Sequence, residues 1–317
     1  MVEVGGARGI FVDLIVQPDD GIEPVLNAIE SAEKSLDVII FRFDLKAVEK
    51  ALEAAVKRGV VVRALIAHTN SGGEKRLRQL EQRMLDAGVT VTRTADDLVR
   101  YHGKVLIADR SALHVYGFNY TALDLKSRSF GLVCRDRRCV QEGVKLFEAD
   151  AAKQEYEPSL ETFVVSPENA REQFATFIKR TKKQLLIWDP KVSDPQMIRL
   201  LQQRTKDGVD VRIIGKVSKR GSSLKAEKLV GKRLHVRAMV RDGESAFVGS
   251  QSLRALELDG RREVGLITKD ARVVKRLGEV FEADWARSAA GSKSTKELKK
   301  DQKDASVEPE LAAAASR

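Results

Sequence analysis

The sequence is poor in the residues that staple, anchor or stack. Only 2 of its 317 residues are cysteine, Cys134 and Cys139, too few for a disulfide framework. They lack CxxC spacing and no histidine cluster accompanies them, so a zinc site is not expected. No glycine pair (Gly5-Gly6, Gly72-Gly73) is followed by the Lys-Ser/Thr of a nucleotide-binding loop, and neither is Gly221. Aromatic residues make up 5%, which argues against a base-stacking platform for single strands and against a Trp- or Phe-rich membrane anchor. No apolar run approaches the roughly 18 residues of a membrane-spanning helix. The first residues show no basic stretch leading into an apolar core and a small-residue cleavage site. The expectation from these absences is a soluble, cytoplasmic protein.

What is present describes a globular chain: 43% apolar and 32% charged residues. The length predicts two domains at roughly 150 residues each. A net charge of +10 favours anionic partners, whether phosphate, nucleic acid or acidic lipid headgroups. The final thirty residues, rich in Lys, Ser, Ala, Asp and Glu, lack the apolar surface that would offset ordering entropy and read as a disordered tail.

The two domains are copies of one plan. Lys57-Arg58-Gly59-Val60-Val61-Val62-Arg63 recurs in form as Lys206-Asp207-Gly208-Val209-Asp210-Val211-Arg212: a Gly closes a helix and an alternating strand begins. Each block follows an apolar strand, within 36–43 and 185–188, and an amphipathic helix, within 23–34 and 167–181. Later in each half the helices give way to short apolar runs, at 105–108, 112–116 and 131–133 and again at 236–241, 246–248 and 264–267. A helix closes each half, near 141–153 and 271–287. Strands alternating with helices predict an α/β fold, with boundaries at 1–155, 156–287 and a tail over 288–317.

There are 4 histidines, and two carry a pattern. His102 is followed by Lys104 and Asp109; His235 by Arg237 and Asp242. The three pairs are each 133 residues apart, as are Asn119 and Ser252. Residues i and i+2 of a strand share a face, so each histidine lies beside a cation. That pairing suits a phosphate group: the cation holds anionic oxygens and the imidazole addresses phosphorus or a leaving oxygen. Two such faces meeting at a pseudo-twofold axis would put two histidines and two cations around one phosphate. The cations would supply the charge stabilisation, so no metal and no cofactor is called for. His68 and His114 lack the pattern and read as core or loop residues.

These motifs, HGKVLIAD and HVRAMVRD, resemble the HxKx4D signature of the phospholipase D superfamily, which a small-residue turn and an Asn follow; the first copy keeps the Asn in an altered turn, Tyr116-Gly117-Phe118-Asn119. The likeness covers roughly residues 10–287 and extends to its two-copy members, including cardiolipin-synthase-like proteins. It implies two α/β/α halves, mixed sheets flanked by helices, forming an intramolecular pseudo-twofold dimer with one shared site. It further implies a phosphodiesterase in which one histidine attacks phosphorus, giving a phosphohistidine, while the other protonates the leaving alcohol. Water or another alcohol then completes hydrolysis or transfer. Residue by residue, His102, Lys104, Asp109 and Asn119 match the first copy, and His235, Arg237 and Asp242 the second.

Several positions depart from the pattern. Arg237 stands where the family has Lys; it keeps the charge but is bulkier and differently hydrated. Ser252 stands where the family has Asn, after a well-matched Gly249-Ser250 turn. The family often places a Glu after the turn to orient a histidine. Glu263 fills that position in the second copy and Ser129 in the first. The catalytic candidates are therefore His102, Lys104, Asp109, His235, Arg237 and Asp242, with Asn119, Ser250, Ser252 and Glu263 as substrate-binding candidates. His102, with the more complete motif, is assigned as nucleophile and His235 as general acid. Asp109 and Asp242 also suit turn-stabilising roles at strand ends. The segment 216–233, with seven basic residues against one acid, reads as a solvated loop and helix or as a basic, anion-binding rim beside the site. The expected substrate is a phospholipid, with peripheral contact to an anionic membrane. A nuclease using the same chemistry and a phosphate-binding module without turnover are the alternatives. Because both motifs lie in one chain, no obligate oligomer is implied.

Overall fold

The computed structural model describes residues 12–68 and 74–288; the expected tail lies outside them, apart from Ser288. Among the described residues fifteen strands run β1 (Val12–Gln17), β2 (Ser35–Ile40), β3 (Val61–Ile66), β4 (Thr90–Arg93), β5 (Arg100–Tyr101), β6 (Val105–Ala108), β7 (Ala112–Tyr116), β8 (Ser129–Cys134), β9 (Phe163–Ser166), β10 (Gln184–Val192), β11 (Asp210–Val217), β12 (Lys225–Glu227), β13 (Arg237–Arg241), β14 (Ser245–Gly249) and β15 (Arg261–Thr268). The helices are α1 (Glu23–Glu30), α2 (Lys46–Lys57), α3 (Glu74–Asp86), α4 (Ala122–Leu125), α5 (Arg137–Ala152), α6 (Ala170–Lys179), α7 (Pro195–Lys206) and α8 (Ala255–Asp259), with a last helix, α9, over 271–288.

Two mixed sheets result. The first has the order β1-β8-β7-β6-β2-β3-β4 and the second β12-β11-β10-β13-β14-β15-β5, with β9 also on β15. In each, the parallel pair formed by a strand–helix–strand unit (β2 with β3, β10 with β11) adjoins an antiparallel meander (β6–β7–β8, β13–β14–β15). That is the predicted switch from helical connections to tight turns. The turns are built by the motif aspartates. Asp109 and Asp242 both adopt positive φ, 51° and 54°, which short polar side chains tolerate. Asp109 accepts the backbone N–H groups of Glu33, Lys34 and Ser35. Asp242 accepts those of Lys182, Lys183 and Gln184. Each aspartate thus ties the turn of its hairpin to the start of the neighbouring strand.

Three apolar clusters fill the molecule. One backs the outer face of the first sheet with α1, α2 and α3, and another backs the second sheet with α6 and α7. The third lies between the sheets and draws on both halves, including Phe130, Leu132, Trp188, Val236, Val264 and Phe281. Trp188 is fully buried there, with edge contacts to Phe130 at 5.0 Å and Phe281 at 4.8 Å.

The halves also exchange polar contacts in a duplicated way. Arg128 bonds Asp284 of α9 through Nε (2.9 Å) and Nη2 (3.1 Å). Arg262 bonds Asp150 of α5, at 3.0 Å from Nη2, and pairs with Glu168. The halves even share strands: β5 of the first pairs with β15 of the second. In the mirrored place, Arg128 bridges Leu234. Where the two turns meet, a Cβ at Gly117 would lie 3.1 Å from the Gly249 carbonyl oxygen, so a larger residue there would press the turns apart by a few tenths of an ångström.

The basic segment 216–233 contains no α-helix. The 3-10 turn Lys219–Gly221 is followed by β12, which pairs with Arg212–Ile214, and then by irregular chain leading to His235.

Candidate active site

The two histidines are delivered by the strand exchange between halves. His102 follows β5, and its N–H bonds the Arg262 carbonyl at 2.8 Å; the His235 N–H bonds the Arg128 carbonyl at 3.1 Å. The arginines that lock the interface through Asp150 and Asp284 therefore also hold the backbone of the opposite histidine. Lys104 and Arg237 follow two residues on, on the same faces as their histidines.

The side chains converge on one buried cluster. The His102 Nδ1 lies 2.8 Å from Glu263 Oε2 and 3.1 Å from Oε1. Glu263, fully buried, comes from the opposite half. Lys104, also fully buried, places Nζ 3.1 Å from both His102 ring nitrogens and donates to the His102 carbonyl at 2.7 Å. Arg237 donates from Nε to Ser252 Oγ at 3.3 Å, with Glu257 Oε2 4.0 Å away. Among the described residues its Nη1 is buried without a hydrogen-bond partner. A buried guanidinium nitrogen left over in this way suits an incoming anionic oxygen.

Asn119 and Ser252 sit in matching turns. The Asn119 N–H and Nδ2 donate to Asp124 Oδ2 at 2.9 and 2.6 Å; the Ser252 N–H donates to Glu257 Oε2 at 2.8 Å. Ser250 is buried, donating to the Val264 carbonyl and accepting its N–H, and so fixes the strand that carries Glu263.

Asp124 and Glu257 escaped the sequence reading. Asp124 Oδ1 lies 3.3 Å from His235 Nδ1, without meeting hydrogen-bond geometry, and bonds Arg233 Nη1 at 2.7 Å. It takes the place beside His235 that Glu263 takes beside His102, from five residues before Ser129. The signal was faint but present: Asp124 and Glu257 share the 133-residue offset of the motif.

Asp109 and Asp242 do not join the cluster. They lie at the far ends of β6 and β13 from the histidines, on the order of 20 Å away at about 3.3 Å per residue, with carboxylates engaged by backbone. Their place in the signature is structural. His114 is buried within β7, and His68 follows β3, its N–H bonded to Thr94 Oγ1 at 3.1 Å.

The electrostatics follow from burial. His102 is held well below the usual histidine range by burial, then by the charges of Lys104 and Arg237, so it is neutral at pH 7. With Nδ1–H directed at Glu263, its Nε2 keeps the lone pair. Burial also pushes the Lys104 ammonium down to about 7, against the opposing pull of Glu263. His235 is lowered by burial and by Arg237 and Lys104, with Asp124 opposing. That Lys104 acts on His235 and Arg237 on His102 places both motifs in one site. Among the described residues, no group of three or more His, Cys, Asp or Glu side chains is arranged to hold a metal ion, and no helix is long and apolar enough to cross a membrane.

Comparison with known proteins agrees with this architecture. The family model described as cardiolipin synthase, PLD-like domain, matches residues 25–151 and again 174–285, one stretch in each half. Among solved structures, polyphosphate kinase from Porphyromonas gingivalis superposes with a TM-score of 0.71 at 17% identity, over 86% of this chain and 46% of that one. The chain thus spans about half the length of that kinase. Phosphatidylserine synthase from Haemophilus influenzae Rd KW20 superposes with a TM-score of 0.67 at 11% identity, over 86% of this chain and 85% of that one. At such identities the likeness establishes the fold. No curated protein sequence matches significantly. With the family model on both halves, more than half the chain in all, the chain belongs to the phospholipase D superfamily.

Proposed function

We propose that the chain is a metal-independent phosphodiesterase that cleaves or transfers a phosphatidyl group through a phosphohistidine on His102. The observation that carries this reading is the buried Glu263, which holds His102 Nδ1 at 2.8 Å from across the interface. It fixes the tautomer in which Nε2 is the nucleophile.

Lys104 and Arg237 take the two non-bridging oxygens of the diester. The phosphate replaces His102 as the partner of the Lys104 ammonium, which frees Nε2. Its negative charge also offsets the two cations that keep His235 neutral in the empty site, so that His235 can hold a proton. An N–P bond forms at His102 as the P–O bond to the leaving alcohol breaks, and His235 gives that oxygen its proton. His235, now neutral, then takes a proton from water or an acceptor alcohol as it attacks phosphorus, releasing His102.

The test is turnover of bis(p-nitrophenyl) phosphate in EDTA by wild type, His102→Ala and His235→Ala. Wild type is expected to turn over and both variants to lose activity. With a labelled substrate, wild type and His235→Ala should trap an acid-labile, base-stable label that His102→Ala does not. An inactive wild type, or variants that match it, would overturn the assignment.

A further inference from the structure

The exposed apolar residues are not scattered at random. Among the described residues six large apolar side chains are exposed, and four adjoin the cluster just described: Val99 at 66%, Leu123 at 58%, Val230 at 45% and Leu256 at 37%. Leu123 precedes Asp124 and Leu256 precedes Glu257, the two carboxylates that bond the motif turns. Val99 lies three residues before His102 and Val230 five before His235.

They form two pairs, one on each side of the pseudo-twofold axis. The Val99 N–H bonds the Gly260 carbonyl at 3.0 Å. A Cβ at Gly260 would lie 3.3 Å from Leu256 Cδ1 and 3.8 Å from Val99 Cγ2, so those two side chains flank one spot. On the other side, Arg233 joins the loop of Val230 to the helix of Leu123. Its Nη1 bonds Asp124 and Ser127 Oγ, and its carbonyl accepts the Arg128 N–H. Leu123 and Leu256 are themselves 133 residues apart and start the same turn of α4 and α8. Leu123 at the start of α4 is largely exposed, and Leu256 at the start of α8, partly packed beside Gly260, still leaves 37% of its surface in solvent.

Charge distinguishes what such a face would meet. Lys126 and Lys228 are exposed and make no ion pair among the described residues, and Arg233 is exposed beside them. Exposed acids stand on both sides, Asp96, Asp97 and Asp259 near Val99, and Asp44 and Asp19 near Leu123 and Lys232, so the local preference rests on the two unpaired lysines. Apolar tips with adjacent cations fit the boundary between headgroups and acyl chains of an anionic bilayer. A nucleic acid would meet the cations but gain little from four aliphatic tips, and aromatic stacking partners are absent from the set.

We infer that the mouth of the site is a lipid-docking face: Val99, Leu123, Val230 and Leu256 enter an anionic phospholipid surface and set the two histidines against its headgroups. This rests on the proposed phosphodiesterase reading and assigns its substrate to a membrane surface.

The experiment is sedimentation with vesicles of phosphatidylglycerol and phosphatidylcholine, compared with phosphatidylcholine alone. It uses the full chain carrying His102→Ala, so that binding is read without turnover. The protein is expected to pellet with the anionic vesicles. The variant with Val99→Ser, Leu123→Ser, Val230→Ser and Leu256→Ser added should partition about tenfold less or weaker still. In the His102 background these four changes should leave turnover of bis(p-nitrophenyl) phosphate unaltered. Leu123→Trp alone should shift its emission to the blue with anionic vesicles, which keeps the test open if the fourfold variant misfolds. Equal partitioning of the two proteins, or no blue shift, overturns the inference. So does concentration-dependent dimerisation that the four changes abolish while vesicle binding persists, which would make this face an interface between copies. A catalytically dead wild type that still docks through these residues would sink the proposed reaction and leave the docking face standing.

Discussion

Replacing Glu263 with Gln is the sharpest single probe of the site. The glutamine keeps the shape and can still present an oxygen to His102 Nδ1, so tautomer and ring position survive. What disappears is a negative charge at 2.8 Å in a fully buried place, where water cannot stand in for it. Hydrogen bonds to a charged partner contribute about 1.5–3 kcal/mol. If the phosphohistidine-forming step uses that charge to stabilise the cation on the imidazole, kcat/KM falls about 10- to 150-fold, at ~1.4 kcal/mol per decade. A second effect adds to it. Glu263 opposes the burial that brings the Lys104 ammonium to about 7, so without it the ammonium loses its proton at lower pH. The sign is definite. In wild type, kcat/KM is expected to fall as pH rises through about 7, as the free enzyme loses the charged Lys104. In Glu263→Gln the falling limb moves to lower pH, and the deficit against wild type widens from pH 6 to pH 8. The assay is the pH profile of diester turnover, with thermal melting to show that the fold persists. A loss under about threefold with an unmoved limb would refute the reasoning, since a carboxylate with only a packing role would alter melting and leave the limb in place.

Other outcomes follow from the same contacts. Asp284→Ala removes one partner of a fully buried ion pair with Arg128 and should destabilise the fold by about 3–5 kcal/mol; because Trp188 Nε1 also bonds Asp284, tryptophan emission in a urea titration reports it. Asp109→Ala strips three backbone N–H groups of their acceptor and puts a Cβ-bearing residue without a polar side chain at φ 51°. It should cost about 1–3 kcal/mol of stability while turnover measured well below the melting temperature stays within about threefold; a selective loss of turnover would restore Asp109 to the catalytic set. Asp124→Asn weakens support for a protonated His235, so it should slow diesters with alkyl leaving groups at least about tenfold more than those releasing p-nitrophenolate, which needs no proton. Equal losses on both substrates would refute that role.

The duplicated plan was legible because it is written in periodicity. The Gly-ended helix before an alternating strand at Val61 and Asp210, and the three short runs that follow, each leave a local signature. Residues that act through long-range contacts leave none. β5 is only two residues long and takes its strand character from Arg261 and Arg262 in the other half, so nothing local marks it. Within the site, His102, Lys104, His235 and Arg237 could be found because two-residue spacing along an extended chain fixes a shared face. Asp124 could not be ranked, since its carboxylate reaches His235 by a chain path that runs through a four-residue helix. Asp109 and Asp242 show the converse. They share the motif with the histidines, yet the strand that separates them carries them to opposite ends of the sheet, where a carboxylate at positive φ is worth more as a turn anchor than as an acid.

The asymmetry of the site argues for fixed roles rather than interchangeable histidines. The His102 carboxylate is buried within the cluster, and both its oxygens approach one ring nitrogen. The His235 carboxylate is divided: Asp124 also serves Asn119 and Arg233 and meets His235 only at 3.3 Å. A histidine that must carry a covalent phosphoryl group and its developing positive charge gains from a close, desolvated anion. A histidine that must pick up and release a proton in each half-reaction gains from a carboxylate that opposes burial and the nearby cations without binding it tightly.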